Sequence, residues 1–179
     1  MRYIQERSFI ATLTSATPGY EGILDSVEGG APSQRKNDYL TVSGFSSVES
    51  QQRFWFGYFD GENPGYRVRA VAFADEDAHY EVWELGSDGR VGYYVKPKNP
   101  VLWRIWANGS KFGVPVRGSQ EGVTIAAVGS VPIGVRNRKS WEDRYVQAGG
   151  PNKLVMSLGV DHVNVPLFDA FGKLFEYRR

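Results

Sequence analysis

The fold is decided by the sequence RFWFGYFDGENPGYRVRAVAFADEDAHYEVWELGSDGRVGYYV, at residues 53–95. It contains four short runs rich in aromatic and β-branched residues, separated by turn sequences at 60–65 and 86–89 and by a connection at 74–79. Glycine, asparagine and proline in such turns supply the backbone angles that a chain reversal needs. The stretch therefore predicts two successive β-hairpins in an antiparallel sheet. Their strands are 53–59 with 66–73, and 80–85 with 90–95.

The first hairpin is predicted to pair Phe59 with Tyr66 across the turn. Because side chains alternate between the two faces of a strand, this register turns Trp55 toward the core. It also places Phe56 on the opposite face, beside Arg67. That outer face is predicted to carry aromatic and arginine side chains.

The second hairpin is predicted to pair Leu85 with Arg90. This register puts Trp83 and Tyr94 near each other on the outer face, with Glu81 and Arg90 beside them. The hairpin therefore predicts an exposed aromatic platform flanked by charges.

A third hairpin is predicted from 101–107 and 110–116, because the Asn-Gly pair at 108–109 is the strongest two-residue hairpin signal. Trp106 and Lys111 are predicted to face outward as a second aromatic and cationic pair. Four residues are predicted to face the core: Trp103, Ile105, Phe112 and Val114.

The rest of the chain adds short elements of the same kind. Further strands are predicted at 39–45, 123–133 and 154–165, and the segment 14–38 is loop-rich. One short helix is predicted near 141–148, where Ser140 and Asp143 form a capping box and two glycines follow. Eight or so short strands predict an all-β antiparallel sandwich of the jelly-roll type, in a single domain over 1–179.

Composition narrows the function further. The chain has 21 Lys and Arg against 20 Asp and Glu, a formal charge of +1. Because so small a net charge does not attract a polyanion, nucleic acid is not expected as a partner. It has no cysteine, which excludes disulfides, thiolate metal sites and cysteine nucleophiles. No signal peptide or apolar run long enough to cross a membrane is present, so the sequence as given predicts a soluble protein, cytoplasmic by default, with no membrane insertion.

Exposed aromatic rings beside charged groups are what a sugar requires, because its C–H faces stack on a ring while its hydroxyls take directional hydrogen bonds. We therefore predict a non-catalytic, lectin-like carbohydrate-binding module. The predicted ligand-binding residues are Trp83, Tyr94, Glu81, Arg90, Trp106 and Lys111.

The same aromatic faces suit a second function class. Tyrosine, tryptophan and arginine are enriched at hot spots of protein interfaces. The alternative prediction is a protein-interaction or assembly domain, such as a toxin accessory domain, an immunity protein or a phage or virion component, with oligomerisation left open.

Two acidic groups of residues predict a candidate cation site. Asp60 and Glu62 lie in the first hairpin turn, and Asp75 and Asp77 lie in the connection that follows. Calcium takes several oxygen ligands from one flexible loop, so either group is a candidate Ca²⁺ site. Neither has the spacing of an EF-hand loop.

Catalysis is the third prediction. Only two histidines are present, and no nucleophile-elbow sequence accompanies them. The sequence around Tyr80 and Glu84 resembles the small jelly-roll xylanases, which implies a carboxylate-based glycoside hydrolase. Glu81 and Glu84 are the nearest acids, but they are an odd number of residues apart and should face opposite sides of the sheet.

Overall fold

The structure, a computed structural model, describes residues 1–25, 39–44, 51–71, 81–94, 97–136 and 144–167. Within those ranges the chain forms fourteen strands and no helix. In chain order the strands are β1 (Arg2–Ser15), β2 (Gly22–Asp25), β3 (Thr41–Ser43), β4 (Arg53–Asp60), β5 (Gly65–Val71), β6 (Val82–Leu85), β7 (Val91–Tyr94), β8 (Trp103–Ala107), β9 (Ser110–Lys111), β10 (Gly118–Ala127), β11 (Ile133–Val135), β12 (Val146–Ala148), β13 (Asn152–Lys153) and β14 (Met156–Val163).

Six of these strands close into a barrel. The ring runs β1, β14, β10, β8, β5 and β4, after which β4 pairs with β1 again, and every pair is antiparallel. The prediction of an antiparallel all-β fold is confirmed. The finer prediction of a jelly-roll sandwich is not, because the 14-residue β1 pairs with both β4 and β14 and so joins the two ends of the sheet.

The remaining strands extend and cover the barrel. β2 and β3 continue the sheet from β1, while β6 and β7 continue it from β5. β11, β12 and β13 form a separate three-stranded sheet. Ile133, Val135 and Val146 of that sheet are fully buried in the same hydrophobic core as the barrel interior.

Two predicted hairpins form with registers that differ by one residue from the prediction. Phe59 pairs with Gly65 rather than Tyr66, and Leu85 pairs with Val91 rather than Arg90. A shift of one residue exchanges the two faces of a strand. The side chains predicted to face outward on these hairpins are therefore largely those that build the core.

The first hairpin shows the consequence directly. Phe56 faces the barrel interior and stacks on Phe9, with ring centroids 4.7 Å apart. Arg67 and Arg69 instead share the outer face with Phe59 and Trp55, and their guanidinium groups lie 4.6 and 5.7 Å from those two rings. An aromatic face with arginine exists as predicted, but it carries the other aromatic residues of β4.

The third hairpin has the predicted register, because Trp106 pairs with Lys111 and Ala107 with Ser110. Trp103, Ile105 and Phe112 are buried as predicted. The prediction for Val114 is wrong: it is 69% exposed, since β9 ends at Lys111 and the chain leaves the sheet.

The predicted helix near 141–148 is not present in its described part. Val146–Ala148 forms strand β12, whose Val146 pairs with Val135 and is fully buried. Tertiary pairing of a buried β-branched residue here overrides a short capping signal. In the described part of the predicted loop-rich segment 14–38, Gly22–Asp25 forms strand β2 instead of loop. Residues 26–38 and 141–143 lie outside the described residues.

Candidate functional site

The candidate site begins with a bulge in β1. Ile4 pairs with Tyr58 and Phe9 pairs with Phe56, so four residues of β1 lie opposite the single residue Gly57 of β4. Bulges of this kind bend a strand and redirect its side chains. The bulge turns Arg7 toward the inner face of the barrel wall, beside Tyr58.

Ser8 holds the bulge together. Its hydroxyl accepts a hydrogen bond from the backbone N–H of Tyr58 at 2.9 Å and donates one to the carbonyl of Ile4 at 2.8 Å. Ser8 is fully buried, so these bonds satisfy polar backbone groups that water cannot reach. The hydroxyl therefore replaces the ladder hydrogen bonds that the bulge removes.

Arg7 is fixed in place by two contacts. Its guanidinium carbon lies 3.7 Å from the centroid of the Tyr58 ring, and Nη2 donates a hydrogen bond to the carbonyl of Phe112 at 3.1 Å. A guanidinium stacked on a ring keeps its remaining N–H groups in one plane. Neither contact neutralises the charge.

The seam between β5 and β8 is the junction of the barrel with the fewest paired residues. Its one paired position is Tyr66 with Trp103, and beyond it β5 pairs with β6 instead. Gly65 permits the close approach, because a Cβ at this position would lie 2.8 Å from the carbonyl oxygen of Trp103.

A pocket of about 290 Å³ lies where the seam, the β1 bulge and the β8–β9 hairpin meet. Its walls are mainly aromatic and cationic. The lining residues are Arg7, Tyr58, Pro64, Gly65, Tyr66, Trp103, Arg104, Ile105, Trp106, Lys111 and Phe112.

The pocket has an unbalanced charge. Arg7, Arg104 and Lys111 line it, and none of the lining residues is acidic. Within the described part of the chain, none of these three cations forms an ion pair. The pocket therefore presents positive charge without a carboxylate to offset it.

Tyr66 adds a polar group to the same wall. It is only 2% exposed, and its hydroxyl lies beside the Arg7 side chain. Burial raises the pKa of Tyr66 to about 12, and the positive charge of Arg7 and a hydrogen bond with its side chain oppose that rise. The hydroxyl is thus protonated at neutral pH.

The structure brings two of the predicted ligand-binding residues to this pocket. Trp106 is half-buried and Lys111 is exposed, and they face each other across the β8–β9 hairpin. In the described part of the chain, Trp106 makes no ring contact or hydrogen bond through its side chain. This ring is available to a ligand.

The other predicted platform does not form. Trp83 has no exposed surface and packs edge-on against Phe54 and Trp103, while Tyr94 is 41% exposed. The observed register puts Trp83 opposite Tyr93, so Trp83 and Tyr94 lie on opposite faces of the hairpin. The prediction that Trp83 faces solvent is wrong.

The charged residues predicted beside that platform are placed apart from the pocket. Glu81 is buried. Arg90 pairs with Asp88 at 3.0 Å, and its guanidinium carbon lies 5.2 and 5.0 Å from the rings of Tyr39 and Tyr145. Arg90 therefore joins β7 to its neighbours.

The acidic residues predicted to bind a cation are only partly described. Asp60 lies 3.7 Å from Arg2 as an exposed ion pair, and Glu62 is exposed in the β4–β5 turn. Asp75 and Asp77 lie outside the described residues. Among the described residues, no group of three or more acidic or histidine side chains is arranged to hold a metal ion.

The acids considered for hydrolysis do not line the pocket. The Glu84 carboxylate accepts a hydrogen bond from the backbone N–H of Val101 at 2.9 Å. Burial raises the pKa of Glu84, and the hydrogen bond and the charge of Arg67 oppose the rise. Burial disfavours the charged form of Arg67 and lowers its pKa, and the negative charge of Glu84 opposes that decrease.

Arg7 is the site residue that sequence reasoning missed. The signal was the alternation in Phe9, Ala11 and Leu13, which predicts an inward face; extended back by two residues, it includes Arg7.

Comparisons with protein-family models, with curated proteins and with solved structures gave no match to this chain. In the parts of the chain that the structure describes, no helix has the length and apolar character to cross a membrane.

Proposed function

We propose that the chain is a non-catalytic binding module that takes a carbohydrate in the pocket beside the β5–β8 seam. The observation that carries the proposal is the half-buried, unpartnered ring of Trp106 at the edge of a pocket with several hydrogen-bond donors. This placement replaces the platform around Trp83 as the ligand site.

The chemistry of the walls supports a sugar. The apolar C–H face of a sugar ring stacks on an aromatic ring, and its hydroxyls accept hydrogen bonds from side chains such as Lys111 and Arg7. Ligand pockets combine mostly apolar walls with a few polar groups in this way.

The size of the pocket favours a small ligand or the end of a chain. Its volume of about 290 Å³ is close to the lower end of the range for ligand pockets, roughly 300–1,000 Å³. A long polysaccharide would therefore be recognised by a terminal residue.

The test is a glycan-array screen of the purified protein, followed by titration of each hit with tryptophan fluorescence. We expect Trp106→Ala to abolish measurable binding, and Trp106→Phe to retain part of it because an aromatic ring remains. Tyr94→Ala is the matched control, since Tyr94 is an exposed ring that does not line the pocket.

Two results would count against the proposal. A folded protein that binds no glycan would remove it. Binding that Tyr94→Ala abolishes and Trp106→Ala leaves unchanged would move the ligand to the second hairpin.

A protein-interaction role is the second candidate, and one observation favours it. Val114 and Val116 are 69% and 78% exposed in the connection that follows Phe112, next to the pocket. Exposed apolar side chains beside an aromatic pocket are typical of interface patches. Mass measured over a range of protein concentrations tests self-association, and a constant monomer mass would count against it.

A further inference from the structure

We propose that Arg7 makes this pocket a receptor for an oxyanion carried on a ring, and that the ligand is an acidic sugar. This inference rests on the proposed carbohydrate function and specifies its ligand class. It follows from the position of Arg7 and from the charge of the residues around it.

Arg7 has the geometry of an anion receptor. The Tyr58 ring covers one face of its guanidinium, and one nitrogen is used by the carbonyl of Phe112. A guanidinium has five N–H donors, so most of them remain for a ligand. A planar fork held by stacking suits a carboxylate or a sulfate, each of which offers two oxygens side by side.

No acidic residue that lines the pocket competes with a ligand for the Arg7 guanidinium. The pocket is lined by two further cations, Arg104 and Lys111, and by no acid. The buried hydroxyl of Tyr66 lies beside the Arg7 guanidinium and adds a neutral polar group to the same wall. An oxyanion would supply the negative charge that the lining of the pocket lacks.

The aromatic walls limit what carries the oxyanion. A free inorganic anion would meet the guanidinium but leave the half-buried ring of Trp106 without a contact. A ring that bears the oxyanion contacts both parts of the pocket. We therefore expect affinity to depend on the ring and on the charge together.

The experiment is calorimetric titration of the parent protein with matched ligand pairs. The pairs are glucuronic acid with glucose, galacturonic acid with galactose, and a sulfated glucose with glucose. Phenyl sulfate is added as an oxyanion on a ring that is not a sugar, and inorganic sulfate as an oxyanion without a ring.

The expected result is that at least one acidic sugar binds about tenfold or more tightly than its neutral partner, as a hydrogen bond to a charged group allows. Added salt should weaken binding of the acidic sugar and leave binding of the neutral sugar unchanged. In Arg7→Gln the preference should disappear, and Arg7→Lys should keep part of it. Lys153→Gln, which removes a cation from the exposed end of β13, is the matched control and should bind like the parent.

The two proposals fail in different ways. Equal affinity for acidic and neutral sugars in the parent protein overturns the role of Arg7 and leaves the carbohydrate function standing. Binding of phenyl sulfate that requires Arg7, with no binding of any sugar, overturns the carbohydrate function and keeps the oxyanion receptor. Binding of inorganic sulfate as tightly as any ring-borne oxyanion overturns the requirement for a ring. The comparisons of acidic with neutral sugars, and of inorganic sulfate with ring-borne oxyanions, use the parent protein and do not depend on the folding of any variant.

Discussion

The guanidinium carbon of Arg7 lies 3.7 Å from the centroid of the Tyr58 ring, although the two residues belong to strands whose ladder is interrupted between them. The interruption is what makes the contact, because a bulge redirects the side chains of the longer strand. A pocket built on a bulge should therefore respond to changes in the bulge itself.

The first prediction concerns Ser8. Ser8→Ala leaves the buried backbone N–H of Tyr58 without an acceptor, which should lower the free energy of unfolding by about 1–3 kcal/mol. Urea unfolding measures the change. Ser119→Ala removes an exposed hydroxyl and should cost less. Equal losses in the two variants would show that Ser8 does not hold the bulge.

The second prediction concerns Gly65 at the β5–β8 seam. The Cβ of Gly65→Ala would lie 2.8 Å from the Trp103 carbonyl oxygen and 3.1 Å from Leu102 Cβ, so the seam must open. We expect a loss of about 1–3 kcal/mol in unfolding free energy, as for other overpacked sites, together with weaker ligand binding. Gly113→Ala adds a methyl group where no atom lies within 4 Å and is the control. A seam variant as stable as the control would contradict this packing.

The third prediction separates the two aromatic residues of the second hairpin. Trp83→Ala should lower the unfolding free energy by about 3–5 kcal/mol, because it empties a fully buried site. Tyr94→Ala should change it by about 0.5 kcal/mol or less. Denaturant midpoints of the two variants decide the register. Mild effects of both variants would restore the register predicted from the sequence, which places both side chains on the outer face.

The fourth prediction concerns pH. Burial raises the pKa of Glu84 in the folded protein above its ordinary value of 4.5. The folded state therefore binds this proton more readily than the unfolded chain, and stability falls as pH rises from about 4.5 through the raised pKa. Glu84→Gln does not titrate and keeps an oxygen to accept the Val101 hydrogen bond.

The matching measurement is the unfolding free energy of the parent and of Glu84→Gln between about pH 4 and about pH 8. We expect Glu84→Gln to gain stability relative to the parent as pH rises. A difference that stays constant, or that shifts toward the parent at higher pH, would mean that Arg67 stabilises the ionised carboxylate more than burial penalises it.

The sequence predicted the hairpins well and their faces poorly. Turn residues locate a reversal to within one or two positions, which is enough to predict all three hairpins. The Asn-Gly turn at 108–109 leaves one register, and Trp106 was placed correctly. The longer turn at 60–65 allows several registers. A shift of one residue turns Phe56, rather than Trp55, toward the barrel interior.

The barrel was harder to predict because it depends on β1. The charges of Arg2, Glu6 and Arg7 interrupt the alternation that marks a strand, and the bulge at 5–8 breaks its period. Without β1 the remaining hairpins suggest an open sandwich. The same local irregularity hid both the closure of the sheet and the arginine in its pocket.

The most direct measurement is an NMR titration of nitrogen-labelled protein with an acidic sugar, following the indole N–H signals of the tryptophans and the side-chain N–H of Arg7. We predict that the Arg7 and Trp106 signals move together in a saturable way while the buried Trp83 and Trp55 signals stay in place. Saturable shifts centred on Tyr94 and Arg90, or no shift at Arg7 while the sugar binds, would contradict the assignment of the pocket beside the β5–β8 seam as the ligand site.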